Sequence, residues 1–218
     1  YALAGMCGHS VGEYSALHAA GVLTLEDLFR AIDFRSRLMD ELSQSHKGAM
    51  LAVKPVDYAA LSALIETFGL TVDISCDNSR RQQVVGGTPS AIADVARLAA
   101  EQGFEVAKLG VSGGWHTRLM QDGVQRMADF LDGIEMCEPA FPVLMNVTAE
   151  AEFLVEKIKR NLSLHLTHTV RWTSSMDYFL ASAEPIQFIE IGNKAYLGHM
   201  LNDFEHFNQS QALHCKKL

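Results

Sequence analysis

The feature that most constrains the fold is a serine placed between two glycines, directly after a short apolar segment. Residues 1–7 (YALAGMC) are apolar and short, as a buried parallel strand is. Residues 8–12 (GHSVG) carry Ser10, and residues 13–20 are rich in helix formers and contain no proline. Strand, G-x-S-x-G and helix, in this order, are the context in which the motif forms a nucleophile elbow. The pattern predicts an α/β fold whose first strand leads into Ser10.

Two interpretations of Ser10 remain open on this pattern. In the first, the turn leaves no room for a Cβ atom on either side of the serine. Ser10 is then a nucleophile at a helix N-terminus, where backbone N–H groups favour a developing negative charge. In the second, Ser10 is an ordinary N-cap, a position at which serine is common. The motif alone does not decide between them.

Composition excludes several classes of protein. The 218 residues suffice for one large domain or two small ones, and a content of 48% hydrophobic and 20% charged residues indicates a globular chain. A net charge of −8 argues against nucleic acid as a partner, because nucleic-acid binders carry a basic surface. No apolar run is long enough to cross a bilayer, so we expect no membrane partner.

The cysteines indicate a compartment. None of the four belongs to a C-x-x-C pair, which argues against a zinc site or a disulfide framework. We expect buried thiols in a reducing cytoplasm at all four positions: Cys7, Cys76, Cys137 and Cys215.

The middle of the chain has its own β-α-β-β-α-β order. The predicted strands are 48–54, 70–76, 82–86 and 104–109, the helices are 56–68 and 89–102, and a turn covers 78–81. This order is the split βαβ pattern of ferredoxin-like folds. We therefore predict a ferredoxin-like subdomain over 48–110, inserted into a core formed by 1–47 and 111–218.

The flanking segments return to alternating helices and strands. Helical spacing of apolar residues predicts a helix over 25–42, with Arg35 on or near its polar face. The later predicted helices are 117–133, 152–166, 171–182 and 195–204, and the later strands are 142–147 and 186–191.

His116 is the candidate base for Ser10. A serine nucleophile needs a general base within hydrogen-bond reach, and histidine is the usual one. Among nine histidines, His116 follows the last strand of the predicted subdomain, lies behind two glycines and begins a helix. From position alone, a helix-start histidine without chemistry is the better explanation.

Five segments together resemble one known family. They are 8–17 (GHSVGEYSAL), 35–39 (RSRLM), 78–82 (NSRRQ), 115–120 (WHTRLM) and 170–173 (VRWT). In order and spacing they are similar to the malonyl-CoA:acyl carrier protein transacylases and the acyltransferases of polyketide synthases, over nearly the whole chain. The resemblance implies an α/β-hydrolase-like parallel-sheet core with a ferredoxin-like subdomain. It also implies that malonyl-CoA and an acyl carrier protein are the partners, with the coenzyme A thioester as substrate and no bound cofactor.

The resemblance also implies roles for single residues. Ser10 matches the nucleophile that takes the acyl group as an ester, and His116 matches its base. The backbone N–H of Val11 matches an oxyanion-hole donor. Arg35 matches the arginine that grips the substrate's free carboxylate. Asn78 matches a polar position near the active site; without the resemblance it is a turn asparagine, and Arg35 is a solvated helix arginine.

The sequence departs from the family at its N-terminal end. The family's G-Q-G-S-Q motif, whose region supplies the second oxyanion donor, has no counterpart, and the chain opens inside the strand that leads into Ser10. We therefore expect that an N-terminal segment is missing from this chain and that the residues given are poorly active without it.

A second departure is His165, seven positions before Trp172, where the family often has a glutamine whose carbonyl lies near the catalytic histidine. Three interpretations stay open. The backbone carbonyl of His165 orients His116, or the His165 ring joins the site, or His165 is simply a partly buried histidine. The spacing of His165 and His168 also suits a metal, but no third ligand is evident, so we predict no metal.

The leading hypothesis is an acyltransferase for a malonyl or related dicarboxylic acyl unit, acting in fatty acid or trans-acting polyketide synthesis. One alternative is an acyl-thioester hydrolase of the same fold, which the presence of Arg35 disfavours. The other is an inactive docking module, which the intact set of Ser10, His116 and Arg35 disfavours.

Overall fold

The computed structural model describes residues 2–215 and shows alternating helices and strands. The helices are α1 (Gly12–Ala19), α2 (Leu25–Ser45), α3 (Tyr58–Thr67), α4 (Pro89–Glu101), α5 (Asp122–Asp132), α6 (Val155–Leu164), α7 (Trp172–Leu180) and α8 (Tyr196–Met200). The strands are β1 (Met6–Cys7), β2 (Ala49–Lys54), β3 (Val72–Ser79), β4 (Gln82–Gly87), β5 (Glu105–Lys108), β6 (Val143–Leu144), β7 (Ala151–Glu152), β8 (Val170–Arg171), β9 (Phe188–Ile191) and β10 (Ala212–Cys215).

The largest sheet has five strands in the order β5-β2-β4-β3-β8. Neighbouring strands in the segment β5-β2-β4-β3 run antiparallel to each other, whereas β8 is parallel to β3. Along the chain, β2, α3, β3, β4, α4 and β5 follow the predicted β-α-β-β-α-β order. Apolar side chains from these elements, among them Val53, Leu61, Val85 and Val95, form one core cluster. The sheet also includes a strand from outside 48–110, because Val170 of β8 pairs with Cys76.

The remaining strands form two smaller sheets. One has the order β1-β6-β7, with β1 parallel to β6, and the other joins β9 and β10 in parallel. Strand β1 is only two residues long, shorter than the predicted strand over 1–7, because within the described residues only Met6 and Cys7 pair with β6. Helices α1, α2, α5 and α6 pack around this region in a second core cluster that includes Tyr14, Leu38, Met127 and Leu162.

Several predicted boundaries are wrong. Asn78 and Ser79 end β3, and the turn consists of Arg80 and Arg81 alone, because Ser79 already pairs with Gln82 across the hairpin. The single helix predicted over 117–133 is a short 3₁₀ turn, Arg118–Met120, followed by α5.

The cysteine prediction is only partly right. Cys76 is buried, Cys7 and Cys215 are half-buried, and Cys137 is exposed. All four thiols are free. Among the described residues, none of the helices is both long enough and apolar enough to span a bilayer.

Candidate active site

Ser10 lies in a tight turn between β1 and α1. Its backbone φ is +53°, a left-handed conformation that residues other than glycine rarely adopt. A Cβ at Gly8 would lie 2.0 Å from the carbonyl oxygen of Gly12, so position 8 requires glycine. A Cβ at Gly12 would meet nothing within 4 Å, so the expectation of crowding on both sides of the serine is wrong for Gly12.

The Ser10 side chain faces the interior of the site. Its Oγ lies 2.9 Å from Nε2 of His116 and 3.0 Å from Nη2 of Arg35. The residue that precedes α1 as its N-cap is Val11, and no side chain caps this helix. The N-cap interpretation of Ser10 is therefore wrong, and its hydroxyl is available to the two side chains from distant parts of the chain.

His116 is buried, and a second hydrogen bond orients its ring. Its Nδ1–H donates to the carbonyl oxygen of His165 at 2.7 Å. This leaves the lone pair of Nε2 directed at the Ser10 hydroxyl, the tautomer that a general base requires. The backbone φ of His116 is +57°, and the buried Thr117 next to it donates its hydroxyl to the carbonyl of Gly114 at 2.6 Å. The Thr117–Gly114 hydrogen bond thus closes the turn that contains His116.

Electrostatics keep the His116 ring neutral. Burial lowers the pKa of His116 well below its usual value, and the nearby His165 and Arg35 lower it further. A histidine with a lowered pKa is unprotonated at neutral pH and so can accept a proton from Ser10.

The spacing of α2 predicts that Arg35 lies on or near the polar face of the helix. In the structure Arg35 is buried instead. Its residue exposure is 6%, and its guanidinium carbon lies 5.9 Å from the centre of the Tyr14 ring. No carboxylate in residues 2–215 lies within salt-bridge distance of it, whereas the exposed Arg37 pairs with Asp33 on the same helix. Arg35 is therefore a buried cation beside Ser10 without an anionic partner.

The other sequence-predicted positions lie near the serine but do not touch its hydroxyl. Oδ1 of Asn78 accepts a hydrogen bond from Nε2 of His9 at 2.8 Å, and the His9 ring packs against Trp172 with centroids 5.6 Å apart. Asn78 thus supports the residue before Ser10. Within the described chain, the N–H of Val11 has no hydrogen-bond acceptor, whereas that of the next residue, Gly12, donates to the carbonyl of His9.

Sequence reasoning missed Asn146, which holds the elbow in place. Its Oδ1 accepts the N–H of Ser10 at 2.8 Å, and its Nδ2 donates to the carbonyl of Gly8 at 2.7 Å. Its own backbone N–H donates to Oε1 of Glu13 at 2.6 Å. The available signals were a polar residue at the end of the apolar run Val143–Met145 and an acidic residue directly after the G-x-S-x-G motif.

His165 contributes its ring as well as its carbonyl to this region. The ring is stacked on that of His116 with centroids 4.5 Å apart, and its Nδ1 lies 2.9 Å from Oε2 of Glu13. The side chains of His165 and Glu13 are each 1% exposed. His168 instead directs its Nδ1 at the carbonyl of Leu164, and residues 2–215 contain no cluster of three or more metal-ligating side chains.

Burial sets the protonation of this pair. It raises the pKa of Glu13 to about 8, opposed by the backbone hydrogen bond from Asn146 and by the charge of Arg35. It also lowers the pKa of His165 well below its usual value, and Arg35 and His9 lower it further. At neutral pH, therefore, both groups are mainly uncharged.

The chain is similar to several known proteins. The family model described as "Acyl transferase domain" matches residues 2–211. The malonyl CoA-acyl carrier protein transacylase of Bacillus subtilis is 32% identical over 199 residues, which are 90% of this chain and 50% of that protein. The uncharacterized protein YmdE of Escherichia coli (strain K12) is 55% identical over 98 residues, 45% of this chain and 92% of that protein.

Solved structures also match the chain. One of them is the complex described as a type II polyketide synthase acyl-carrier protein, AntF, with its malonyl-transacylase PlMCAT. Its TM-score is 0.91 at 29% identity, and the match covers 100% of this chain and 71% of that one. The chain thus spans about half the length of the Bacillus subtilis relative and less than three quarters of this structure.

Proposed function

Because the chain belongs to the acyl transferase domain family, we propose that it moves a malonyl or related dicarboxylic acyl group from coenzyme A to an acyl carrier protein. The group passes through an ester on Ser10 and ends on the phosphopantetheine thiol of the carrier. We propose fatty acid or polyketide synthesis as the pathway, and the names of two Bacillus subtilis relatives, PksE and PksC, place those proteins in polyketide biosynthesis.

The observation that carries this proposal is the buried, unpaired guanidinium of Arg35 beside the Ser10 hydroxyl. A buried cation without a counter-ion is costly, so such a site favours a ligand that brings a negative charge. The free carboxylate of a malonyl group supplies that charge, and a guanidinium can bind it through two parallel hydrogen bonds. A neutral acetyl group lacks it.

The dyad supplies the acid–base chemistry. His116 Nε2 takes the Ser10 proton as Oγ attacks the thioester carbonyl, and it then gives this proton to the departing coenzyme A sulfur. In the second half of the reaction, Nε2 takes the proton of the carrier thiol, whose sulfur attacks the Ser10 ester. The proton then returns to Ser10 Oγ as the ester bond breaks. The free N–H of Val11 is one donor for the negative oxygen formed in each half.

The finer architecture and setting are part of the same proposal. The strand order β5-β2-β4-β3 and the two crossing helices support a ferredoxin-like subdomain over 48–110. Residues 1–47 and 111–218 then form an α/β-hydrolase-like core. The serine–histidine chemistry requires no bound cofactor, because the coenzyme A thioester is itself the substrate. Four free thiols suit a reducing cytoplasm.

Intact-mass analysis after mixing with malonyl-CoA tests the proposal. We expect the wild type to gain one malonyl unit, and Ser10→Ala to gain none. His116→Ala is expected to acylate roughly 10²- to 10⁴-fold more slowly, the usual contribution of a positioned base. A mass gain that persists in Ser10→Ala, or an unchanged rate in His116→Ala, would contradict the dyad.

A further inference from the structure

A second pair of buried side chains lies directly behind the dyad. Glu13 and His165 are in contact, and neither the Oε2 of Glu13 nor either ring nitrogen of His165 has a hydrogen-bond partner among the described residues. A buried polar atom without a partner costs free energy, so an isolated pair of this kind calls for an explanation.

The carboxyl of Glu13 connects both halves of the dyad. Its Oε1 accepts the backbone N–H of Asn146, whose side chain in turn accepts the N–H of Ser10. Its Oε2 lies 2.9 Å from the ring of His165, whose carbonyl oxygen accepts the Nδ1–H of His116. A single side chain thus links the strained turn of the nucleophile to the support of the base.

The protons can be placed without charging either group. A protonated carboxyl can donate from Oε2 to Nδ1 of a neutral His165 while Oε1 still accepts from Asn146. Oε2 and Nδ1 are at hydrogen-bond distance although the structure records no hydrogen bond between them, and χ2 of a histidine is a soft torsion about which the ring can adjust. The His116 ring is stacked on one face of the same imidazole.

We propose that the Glu13 carboxyl and the His165 ring form a neutral hydrogen-bonded pair that positions His116 against Ser10. This inference rests on the proposed function, because it concerns the same dyad. Both are positioning residues, since neither touches the Ser10 hydroxyl. Of the interpretations of His165 that the sequence leaves open, this one gives a role to the ring in addition to the carbonyl.

The test follows the reaction of Ser10 with a fluorophosphonate, detected by intact mass. This reagent needs neither coenzyme A nor a malonyl group, so the readout separates the role of the pair from the choice of acyl donor. Glu13→Ala and His165→Ala are each expected to slow the reaction roughly 10²-fold, the cost of misplacing a catalytic group by about 1 Å. The double variant is expected to react no more slowly than the slower of the two single variants, because each substitution disrupts the same Glu13–His165 pair.

Two further variants provide matched comparisons. Glu13→Gln retains an acceptor for Asn146 and a donor for His165, so it should lose less than about tenfold at pH 7. Glu41→Gln changes the exposed Glu41–Arg126 pair and should leave the rate unchanged. Circular dichroism melts report whether each variant is folded. If the alanine variants unfold, the Glu13→Gln comparison carries the test through its pH profile.

The pH profile gives a readout that a purely structural role would not move. Once Glu13 loses its proton, near pH 8, its Oε2 can no longer donate to Nδ1 of His165, and the neutral pair is lost. The wild-type rate should therefore fall above about pH 8, and that fall should be absent in Glu13→Gln, whose amide keeps its donor. The other groups facing this pair, Arg35, His9, His116 and His168, are the same in both proteins.

Three results would overturn the inference. The first is folded alanine variants that react at the wild-type rate, and the second is losses that multiply in the double variant. The third is an identical pH profile in wild type and Glu13→Gln. If Ser10 of the wild type does not react with the fluorophosphonate at all, the proposed Ser10–His116 dyad is wrong. The proposed role of the Glu13–His165 pair is then excluded with it.

Discussion

Ser10 and His116 both adopt positive backbone φ angles, +53° and +57°, in regions that residues with a Cβ rarely occupy. Each is held there by buried neighbours: Asn146 binds the N–H of Ser10, and Thr117 closes the turn beside His116. Strained residues persist only where the surrounding structure stabilises them. The two positions that we assign to the chemistry therefore also cost stability.

The strain at Ser10 can be measured with two variants that both lack the hydroxyl. Glycine accepts a positive φ without cost, whereas alanine pays roughly 1–2 kcal/mol, partly offset by the greater freedom of glycine in the unfolded chain. We expect Ser10→Gly to be about 1 kcal/mol more stable than Ser10→Ala in denaturant unfolding. Equal stabilities, or a more stable alanine variant, would show that the turn is not strained.

At the scale of elements, the sequence predicts long periodic segments well. Helix α2 begins at Leu25 as expected because Thr24 caps it, and α4 begins at Pro89 after the Thr88 cap. Strands β7 and β8, two residues each, have no periodic signal and were not predicted. The helix expected to begin at 117 is wrong because Thr117 caps a 3₁₀ turn, Arg118–Met120, and the α-helix begins only at Asp122.

In the candidate site, too, residues with a local sequence pattern were predictable, and residues placed by tertiary contacts were not. The motif around Ser10 and the resemblance bring His116 and Arg35 into the prediction, and the structure places both beside the serine hydroxyl. The burial of Arg35 was not predictable from its helix, because the spacing of α2 suggests a polar face there. Asn146 is 136 residues from Ser10 in sequence, and contact over such a separation leaves no local pattern.

One ion pair joins strand β3 to the segment that follows His116, and its effect on the reaction of Ser10 can be tested. Asp73 of β3 accepts the backbone N–H and the guanidinium of Arg118, two residues after His116. The Arg118 side chain is 65% exposed, so Asp73→Ala should cost under about 1 kcal/mol of stability. The same change loosens the His116 turn, so we expect roughly tenfold slower reaction of Ser10 with the fluorophosphonate.

The matched control for this ion pair is Glu105→Ala. It breaks the exposed Lys54–Glu105 pair on the far side of the same sheet and should not change the rate. An Asp73→Ala variant that reacts as fast as Glu105→Ala would contradict the coupling.

At the scale of the whole molecule, the buried titratable groups make stability depend on pH in two directions. The pKa values of His116 and His165 are lowered by folding, so their contribution to stability grows with pH and is complete above about 6.5, the unfolded value. The pKa of Glu13 is raised to about 8, so the folded state binds its proton more tightly, and stability falls as pH rises toward 8.

Between pH 6.5 and 8, Glu13 is the one group of these three that still makes the free energy of unfolding depend on pH. We expect the free energy of unfolding to fall by roughly 2 kcal/mol over this range in the wild type. The fall should be absent in Glu13→Gln, which has no proton to lose. Denaturant unfolding at several pH values measures this difference. Parallel pH dependences in the two proteins would mean that Glu13 is already ionised in the folded chain.

The central claim is that a buried arginine beside Ser10 selects an acyl group with a free carboxylate. Removing one partner of a desolvated charge pair costs roughly 2–5 kcal/mol, about 30-fold to several-thousand-fold in binding, whereas an exposed pair is worth under about 1 kcal/mol. Arg37→Ala on the same helix is the matched control, because Arg37 is exposed and paired with Asp33.

The most direct measurement is the ratio of kcat/KM for Ser10 acylation by malonyl-CoA and by acetyl-CoA in wild type, Arg35→Ala and Arg37→Ala. We predict that Arg35→Ala lowers this ratio at least about 30-fold, with acetyl loading kept or raised, and that Arg37→Ala leaves it unchanged. A ratio that stays constant in Arg35→Ala would contradict the claim that this chain selects a dicarboxylic acyl group.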